Sequence, residues 1–137
     1  VQDFEGEKFD LIVSNPPYFS DSLLCPDALR TTARHTTSLT LEQLDASACR
    51  LLERGGRFAL ILPTEQMERY LSLTQFNLVR RCDVRSRSFT QTIRTMAELA
   101  FDRFQSVKRE NLTIYEDVGQ QYTAQYRELT KDFYLKF

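Results

Sequence analysis

FDLIVSNPPYF, Phe9 to Phe19, is an apolar run halted by an asparagine, two prolines and a tyrosine. Phe9, Leu11, Ile12 and Val13 form a short β-prone stretch, Phe9 to Ser14, whose continuous apolar character suits a central parallel strand covered on both faces. Pro16 and Pro17 fix φ near about −65° and remove two backbone donors, so the strand ends in a stiff bend.

From there the chain alternates. Ser20 to Ser38 is polar and aperiodic, contains Pro26 and reads as a long loop of the kind that carries function. Thr40 predicts a helix N-cap with Gln43 closing a capping box, and Leu41, Leu44, Ala48, Leu51 and Leu52 recur on one face until Gly55 and Gly56. RFALIL, Arg57 to Leu62, is the next buried strand, and Pro63 and Thr64 lead into a second amphipathic helix using Met67, Tyr70, Leu71 and Phe76. Strand, helix, strand, helix implies parallel strands with right-handed crossovers, hence an α/β layer fold.

Beyond Asn77 the pattern changes. Leu78 to Val84 and Met96 to Phe104 read as two longer strands joined directly through the polar Arg85 to Thr95, which predicts an antiparallel pair. Leu112 to Tyr115 is a candidate short edge strand, and Tyr122, Tyr126, Leu129 and Phe133 fall on one helical stripe expected to dock on the sheet by core packing.

The totals bound the function classes. The 137 residues suit one domain, and 42% hydrophobic with 12% aromatic content is enough for a core. Eighteen basic residues against nineteen acidic ones leave a charge of −1, so a nucleic-acid partner has to be met by a local patch. Cys25, Cys49 and Cys82 are widely spaced, and the single His35 cannot complete a zinc set. They read as reduced packing residues of a cytoplasmic protein, with no metal. No run approaches the roughly 20 apolar residues that span a bilayer, and no basic-then-apolar leader is visible, so no membrane partner is expected.

The chemistry concentrates in N-P-P-Y. A planar exocyclic amine, as on adenine or a carboxamide, delocalises its lone pair and is a poor nucleophile. Two fixed acceptors gripping its N–H bonds favour pyramidal geometry and aim the lone pair at an electrophile. Asn15 at the end of a parallel strand supplies one acceptor and the Pro16 carbonyl the other, with Pro17 holding the bend and Tyr18 offering a stacking face. Open α/β sheets bind ligands at the carboxyl ends of their strands, which is where this motif falls. The plainer alternative is a Pro-Pro loop that ends a strand, with Tyr18 capping the core.

Taken together, FDLIVSNPPYF, ARHT (Ala33 to Thr36), RFALILP and the closing YTAQYRELTKDFYLKF resemble the bacterial tRNA(Val) adenine-N6-methyltransferase family, within the class I S-adenosylmethionine-dependent methyltransferases that carry an NPPY motif. The resemblance implies the C-terminal half of a Rossmann-like sheet, parallel strands plus a terminal antiparallel hairpin, with helices on both faces. On that reading the 137 residues are a single partial domain whose glycine-rich cofactor loop lies upstream of Val1, and the fragment alone is inactive. The implied reaction is methyl transfer from S-adenosyl-L-methionine to N6 of an adenine near the anticodon of a tRNA. Carried across by position, Asn15, Pro16, Pro17 and Tyr18 are catalytic, and Asp3 and Phe4 join Asn15 at the cofactor, Asp3 accepting from its adenine amine.

Further readings beside these stay open. Arg30, Arg34 and His35 follow the motif and are either phosphate contacts for the RNA or an ordinary solvated loop. Arg80, Arg81, Arg85, Arg87 and Arg94 crowd the hairpin, as a tRNA-backbone patch or as charges that protect strand edges. NPPY enzymes also methylate the glutamine side chain of release factors, and a non-catalytic binding module is a third class. A half-sheet would leave Phe9 to Ser14 as an apolar edge open to self-association.

Overall fold

β-strand side chains alternate between faces, and in FALIL that alternation is complete: Phe58, Leu60 and Leu62 are buried, while Ala59 and Ile61 are only half-buried. In the computed structural model, which describes residues 6–16 and 39–134, this strand is the spine. The elements are β1 (Phe9–Ser14), α1 (Leu41–Leu51), β2 (Leu52–Pro63), α2 (Thr64–Leu73), β3 (Asn77–Arg85), β4 (Thr92–Ala100), β5 (Lys108–Thr113) and α3 (Ala124–Thr130).

The five strands form one mixed sheet in the order β1-β2-β4-β3-β5. β1 and β2 are parallel, β4 is antiparallel to both β2 and β3, and β5 is parallel to β3. The α/β alternation and the antiparallel β3–β4 pair agree with the sequence pattern. The carboxyl ends of β1, β2, β3 and β5 therefore share one edge of the sheet with the start of β4.

α1 begins where the sequence places it. The Thr40 side chain accepts from the Gln43 amide at 3.1 Å, and the Gln43 side chain accepts from the Thr40 amide at 2.9 Å, a reciprocal cap worth about 1 kcal/mol. Leu41, Leu44 and Ala48 of α1 and Met67 and Tyr70 of α2 pack on Phe58, Leu60, Leu62, Ala97 and Leu99 of the sheet. Burying each large apolar side chain contributes about 1.5–3 kcal/mol. Tyr70 and Phe58 meet edge to face at 6.4 Å. The Tyr70 hydroxyl donates to Asp45 Oδ1 at 2.7 Å, and the Thr74 hydroxyl donates to the same oxygen. This carboxylate, buried on α1, is thereby satisfied by donors at the far end of α2 and ties the two helices together.

α3 lies on the opposite face. Ala59, Met96, Cys82 and Leu112 line a cleft of about 500 Å³ with Gln125 and Leu129 of α3. Helices therefore cover both faces of the sheet.

Several boundaries differ from the sequence reading. β2 starts at Leu52, ahead of Gly55 and Gly56, because its register with β1 jumps from Phe9–Leu52 to Leu11–Arg57 and the intervening residues bulge. Gly55 takes the turn at φ +91°, and a Cβ on Gly56 would lie 2.9 Å from the Asp10 carbonyl oxygen. Phe76 is buried beyond the end of α2 rather than on it. β4 runs four residues earlier than Met96 to Phe104, since the polar Thr95 enters the sheet fully buried with its hydroxyl bonded to Asp83 at 2.9 Å. The edge strand is likewise early, Lys108–Thr113 in place of Leu112 to Tyr115.

β1 is the outermost strand, not a strand covered on both faces, and Leu11 and Val13 are 59% and 71% exposed. The tyrosine stripe is also corrected: α3 buries no residue, and Leu129 and Phe133 are exposed. Tyr126 packs on other tyrosines instead of on the core.

Gly56→Ala should destabilise the chain by about 1–3 kcal/mol, because two of the three atoms a Cβ meets, the Asp10 and Glu53 carbonyl oxygens, belong to the backbone and have no rotamer to give. The denaturation midpoint in urea measures it, and an unchanged midpoint would show that the β1–β2 contact relaxes freely.

Candidate active site at the carboxyl edge of the sheet

Asn15 follows the last residue of β1 and is exposed, and Pro16 behind it is half-buried. Ser14 pairs with Leu60, so Asn15 emerges beside Ile61 in the neighbouring strand. The edge is stepped. Ser14, Leu60, Ala97, Arg81 and Arg109 lie in one row, and β2, β4, β3 and β5 continue past it to Pro63, Thr92, Arg85 and Thr113. β2 and the β3–β4 hairpin thus rise as a wall above the row in which β1 ends.

A polar network braces that wall. Asp83 Oδ1 accepts from the Thr95 hydroxyl at 2.9 Å and from Arg81 Nε at 2.9 Å, while Arg81 also reaches Glu68 of α2 at 2.7 Å. The Thr64 hydroxyl, at the first turn of α2, donates to the Thr92 carbonyl at 3.3 Å. The buried Thr95 hydroxyl is thereby partnered, and β3 and β4 are tied to α2 through Arg81–Glu68 and Thr64–Thr92.

Of the sequence-expected site residues, Asn15 and Pro16 lie within the described residues. Asp3, Phe4, Pro17, Tyr18, Arg30, Arg34 and His35 lie outside them. Among the hairpin arginines, Arg80 pairs with Glu110 and holds that carboxyl below its usual range by hydrogen bonding. Arg81 is committed to Glu68 and Asp83. Arg87 donates to the Glu116 carbonyl, and to that of Gly119 at 2.6 Å. These three arginines are structural ties first.

Among the described residues both cysteines are held toward the thiol form. Cys49 is part-buried beside Asp45, and burial first, then the carboxylate, pushes its pKa up to about 11. Burial also raises Cys82. No group of three or more His, Cys, Asp or Glu side chains able to hold a metal ion occurs among the described residues. None of the described helices is long and apolar enough to cross a membrane.

Sequence reasoning missed one surface. Tyr115 and Tyr122, joined by an isolated antiparallel bridge, stack at 5.1 Å, and Tyr122 stacks on Tyr126 at 5.0 Å. The helical spacing of Tyr122 and Tyr126 is visible in the sequence, but the long-range pairing that adds Tyr115 is not.

No family model matches the sequence. Over nearly all its length the chain is similar to curated bacterial proteins named tRNA1(Val) (adenine(37)-N6)-methyltransferase. With that of Bacteroides thetaiotaomicron it shares 39% identity over 132 residues, 94% of this chain and 55% of the relative. With that of Edwardsiella ictaluri it shares 41% over 135 residues, 96% of this chain and 54% of the relative. The chain spans about half the length of the curated relatives it matches. In fold it is similar to a predicted O-methyltransferase of Agrobacterium tumefaciens known from a crystal structure, with TM-score 0.66 and 15% identity over 91% of this chain and 52% of that one. The resemblance carried by the sequence motifs thus extends over nearly the whole chain.

With its pKa pushed up to about 11 by burial and the Asp45 carboxylate, Cys49 stays a thiol at pH 7 more fully than an ordinary cysteine does. Alkylation by iodoacetamide, located by peptide mass, should therefore be slow and should accelerate about tenfold per pH unit up to pH 10. Fast labelling at neutral pH would contradict the buried, carboxylate-flanked setting.

Proposed function

We propose that the protein carrying this chain transfers a methyl group from S-adenosyl-L-methionine to N6 of an adenine in tRNA, near the anticodon. The observation that carries the reading is the similarity of nearly the whole chain to relatives with that printed activity, joined to the N-P-P-Y sequence after β1. Those names favour an adenine over the glutamine of a release factor.

The cofactor, when bound, supplies an electrophilic methyl carbon on sulfur to the amine lone pair. The chain's residues act on the amine. Asn15 Oδ1 and the Pro16 carbonyl accept its two N–H bonds, which weakens conjugation of nitrogen with the ring. Pro16 and Pro17 keep the acceptors from swinging, so little reorganisation remains at the moment of transfer. Tyr18 stacks on the adenine. Asp3 and Phe4 hold the cofactor with Asn15, the carboxylate accepting from its amino group and the ring packing beside it. Arg30, Arg34 and His35 contact phosphates of the RNA. The donor set suits this chemistry, since a neutral amine that loses its proton only after transfer needs acceptors and no strong base.

In this reading residues 1–137 are one partial domain of a cytoplasmic enzyme, inactive without the remainder of the cofactor site. The outer backbone edge of β1, with Leu11 and Val13 exposed, is the place where another strand, of the same protein or of a second copy, pairs.

Incubating the full-length protein with methyl-labelled cofactor and either unmodified tRNA or a release factor should place label on the RNA. Label found only on the release factor would overturn the assignment. Asn15→Ala should lower kcat on the order of 10²–10³-fold while leaving the denaturation midpoint in place. Full turnover in that variant would remove Asn15 from the chemistry.

A further inference from the structure

β5 is an edge strand, the last in the order β1-β2-β4-β3-β5. Its sequence, K-R-E-N-L-T over Lys108–Thr113, changes character halfway: the charged Lys108, Arg109 and Glu110 give way to the uncharged Asn111, Leu112 and Thr113. Charges guard a strand edge against pairing with another chain, so residues 111–113 need some other protection. The ladder fixes which atoms lie on the outer side. Asp83 pairs with Asn111 and Arg85 with Thr113 in the parallel register, and the Ile114 amide donates inward to the Arg85 carbonyl at 3.0 Å. Backbone groups of successive residues alternate between the two edges of a strand, so the carbonyls of Asn111 and Thr113 point outward, away from β3.

Both carbonyls are occupied from within the chain. The Thr123 hydroxyl donates to the Thr113 carbonyl at 2.6 Å, and the Gln125 side-chain amide donates to the Asn111 carbonyl at 3.2 Å. Each donor stands where a neighbouring strand would place its own N–H. Thr123 is also the N-cap of α3, its Oγ1 accepting from the Tyr126 amide at 3.1 Å, so the helix start is fixed against the edge. The chain returns to that point through residues 116–121, where the Glu116 amide donates to the Gln121 carbonyl and the Thr123 amide to the Ile114 carbonyl, both at 2.9 Å. Tyr122 stacks on Tyr115 at 5.1 Å and on Tyr126 at 5.0 Å, which pins the return. The body of α3 then lies over the sheet, with Gln125 and Leu129 facing Cys82, Met96 and Leu112 across the cleft. Tyr122, Thr123, Gln125 and Tyr126, four residues of the stretch Y-T-A-Q-Y, thus all take part in one closure.

We propose that residues 122–126 are an edge cap, which seals the uncharged half of β5 against the addition of a strand from a second copy of this chain. The cap acts through hydrogen bonds to the edge and through stacking, which accounts for a helix that buries no residue of its own. Without it, two outward carbonyls would stand without donors beside an uncharged stretch of strand, a template for pairing between copies. The sheet is thereby one-sided: β1, with Leu11 and Val13 exposed, is the edge proposed to take another strand, and β5 is closed by its own polypeptide. This role is independent of the methyl-transfer reading.

Sedimentation velocity of the full-length protein, over about 1–100 µM where unprotected edges associate, tests the cap. Thr123→Val combined with Gln125→Ala should self-associate about tenfold more tightly than the parent. Thr123→Ser, which keeps the hydroxyl, should match the parent. Adding Asn111→Pro to the double variant should restore parental behaviour, because its ring replaces an outward N–H and costs no bond to β3. Gln125 is exposed, so Gln125→Ala alone decides the matter if the Thr123→Val variant fails to fold: tighter association supports the cap, and parental association overturns it. A double variant with a native circular dichroism spectrum and parental association would overturn the proposal. So would association that Asn111→Pro leaves in place, since the contact would then lie elsewhere.

Discussion

The alternation of side chains along β2 is the constraint from which the rest follows. Phe58, Leu60 and Leu62 must leave water together, and only a layer of helices on that one face can take them. α1 and α2 meet that need, and the Asp45 carboxylate, shared by Tyr70 and Thr74, fixes how the two helices sit side by side. With β2 held, β1 pairs parallel on one side and β4 antiparallel on the other. Asn15 reaches the carboxyl edge because β1 runs in register with β2.

The same edge shows how a small α/β layer separates rigidity from exposure. The buried Thr95 and the half-buried Asp83 are bonded to each other and Asp83 to Arg81, which in turn reaches α2 and braces the hairpin. Exposed groups lie where the strands stop: Asn15 at one end, Phe89 and Gln120 at the other. In the proposed reaction a braced strand end suits an unreactive amine, since its acceptors have to be in place before the reaction begins.

Much of the architecture was legible locally. The Thr40–Gln43 cap, the period of α1 and the apolar run of β1 are short-range signals that agree with the structure near their expected bounds, and the apolar run of Arg57 to Leu62 lies within a strand that starts five residues earlier. The failures have a common cause. Thr95 enters β4 because Asp83, twelve residues away, satisfies its hydroxyl. Tyr122 and Tyr126 leave the core because Tyr115 supplies an alternative stack. Gly55 and Gly56 sit inside a strand's span because the approach of β1 requires a bulge there. Single residues do not disclose such partners.

The sequence by itself determined the order of strands and helices, the antiparallel β3–β4 pair and the place of N-P-P-Y directly after a strand, because periodicity, capping and residue type act within a few neighbours along the chain. Only the tertiary structure decided that β5 runs parallel beside β3, that the edge is stepped, and that Arg87, Tyr115 and Tyr122 converge on one cleft. Those features arise from pairings between distant segments, whose energies depend on which surfaces the fold brings together.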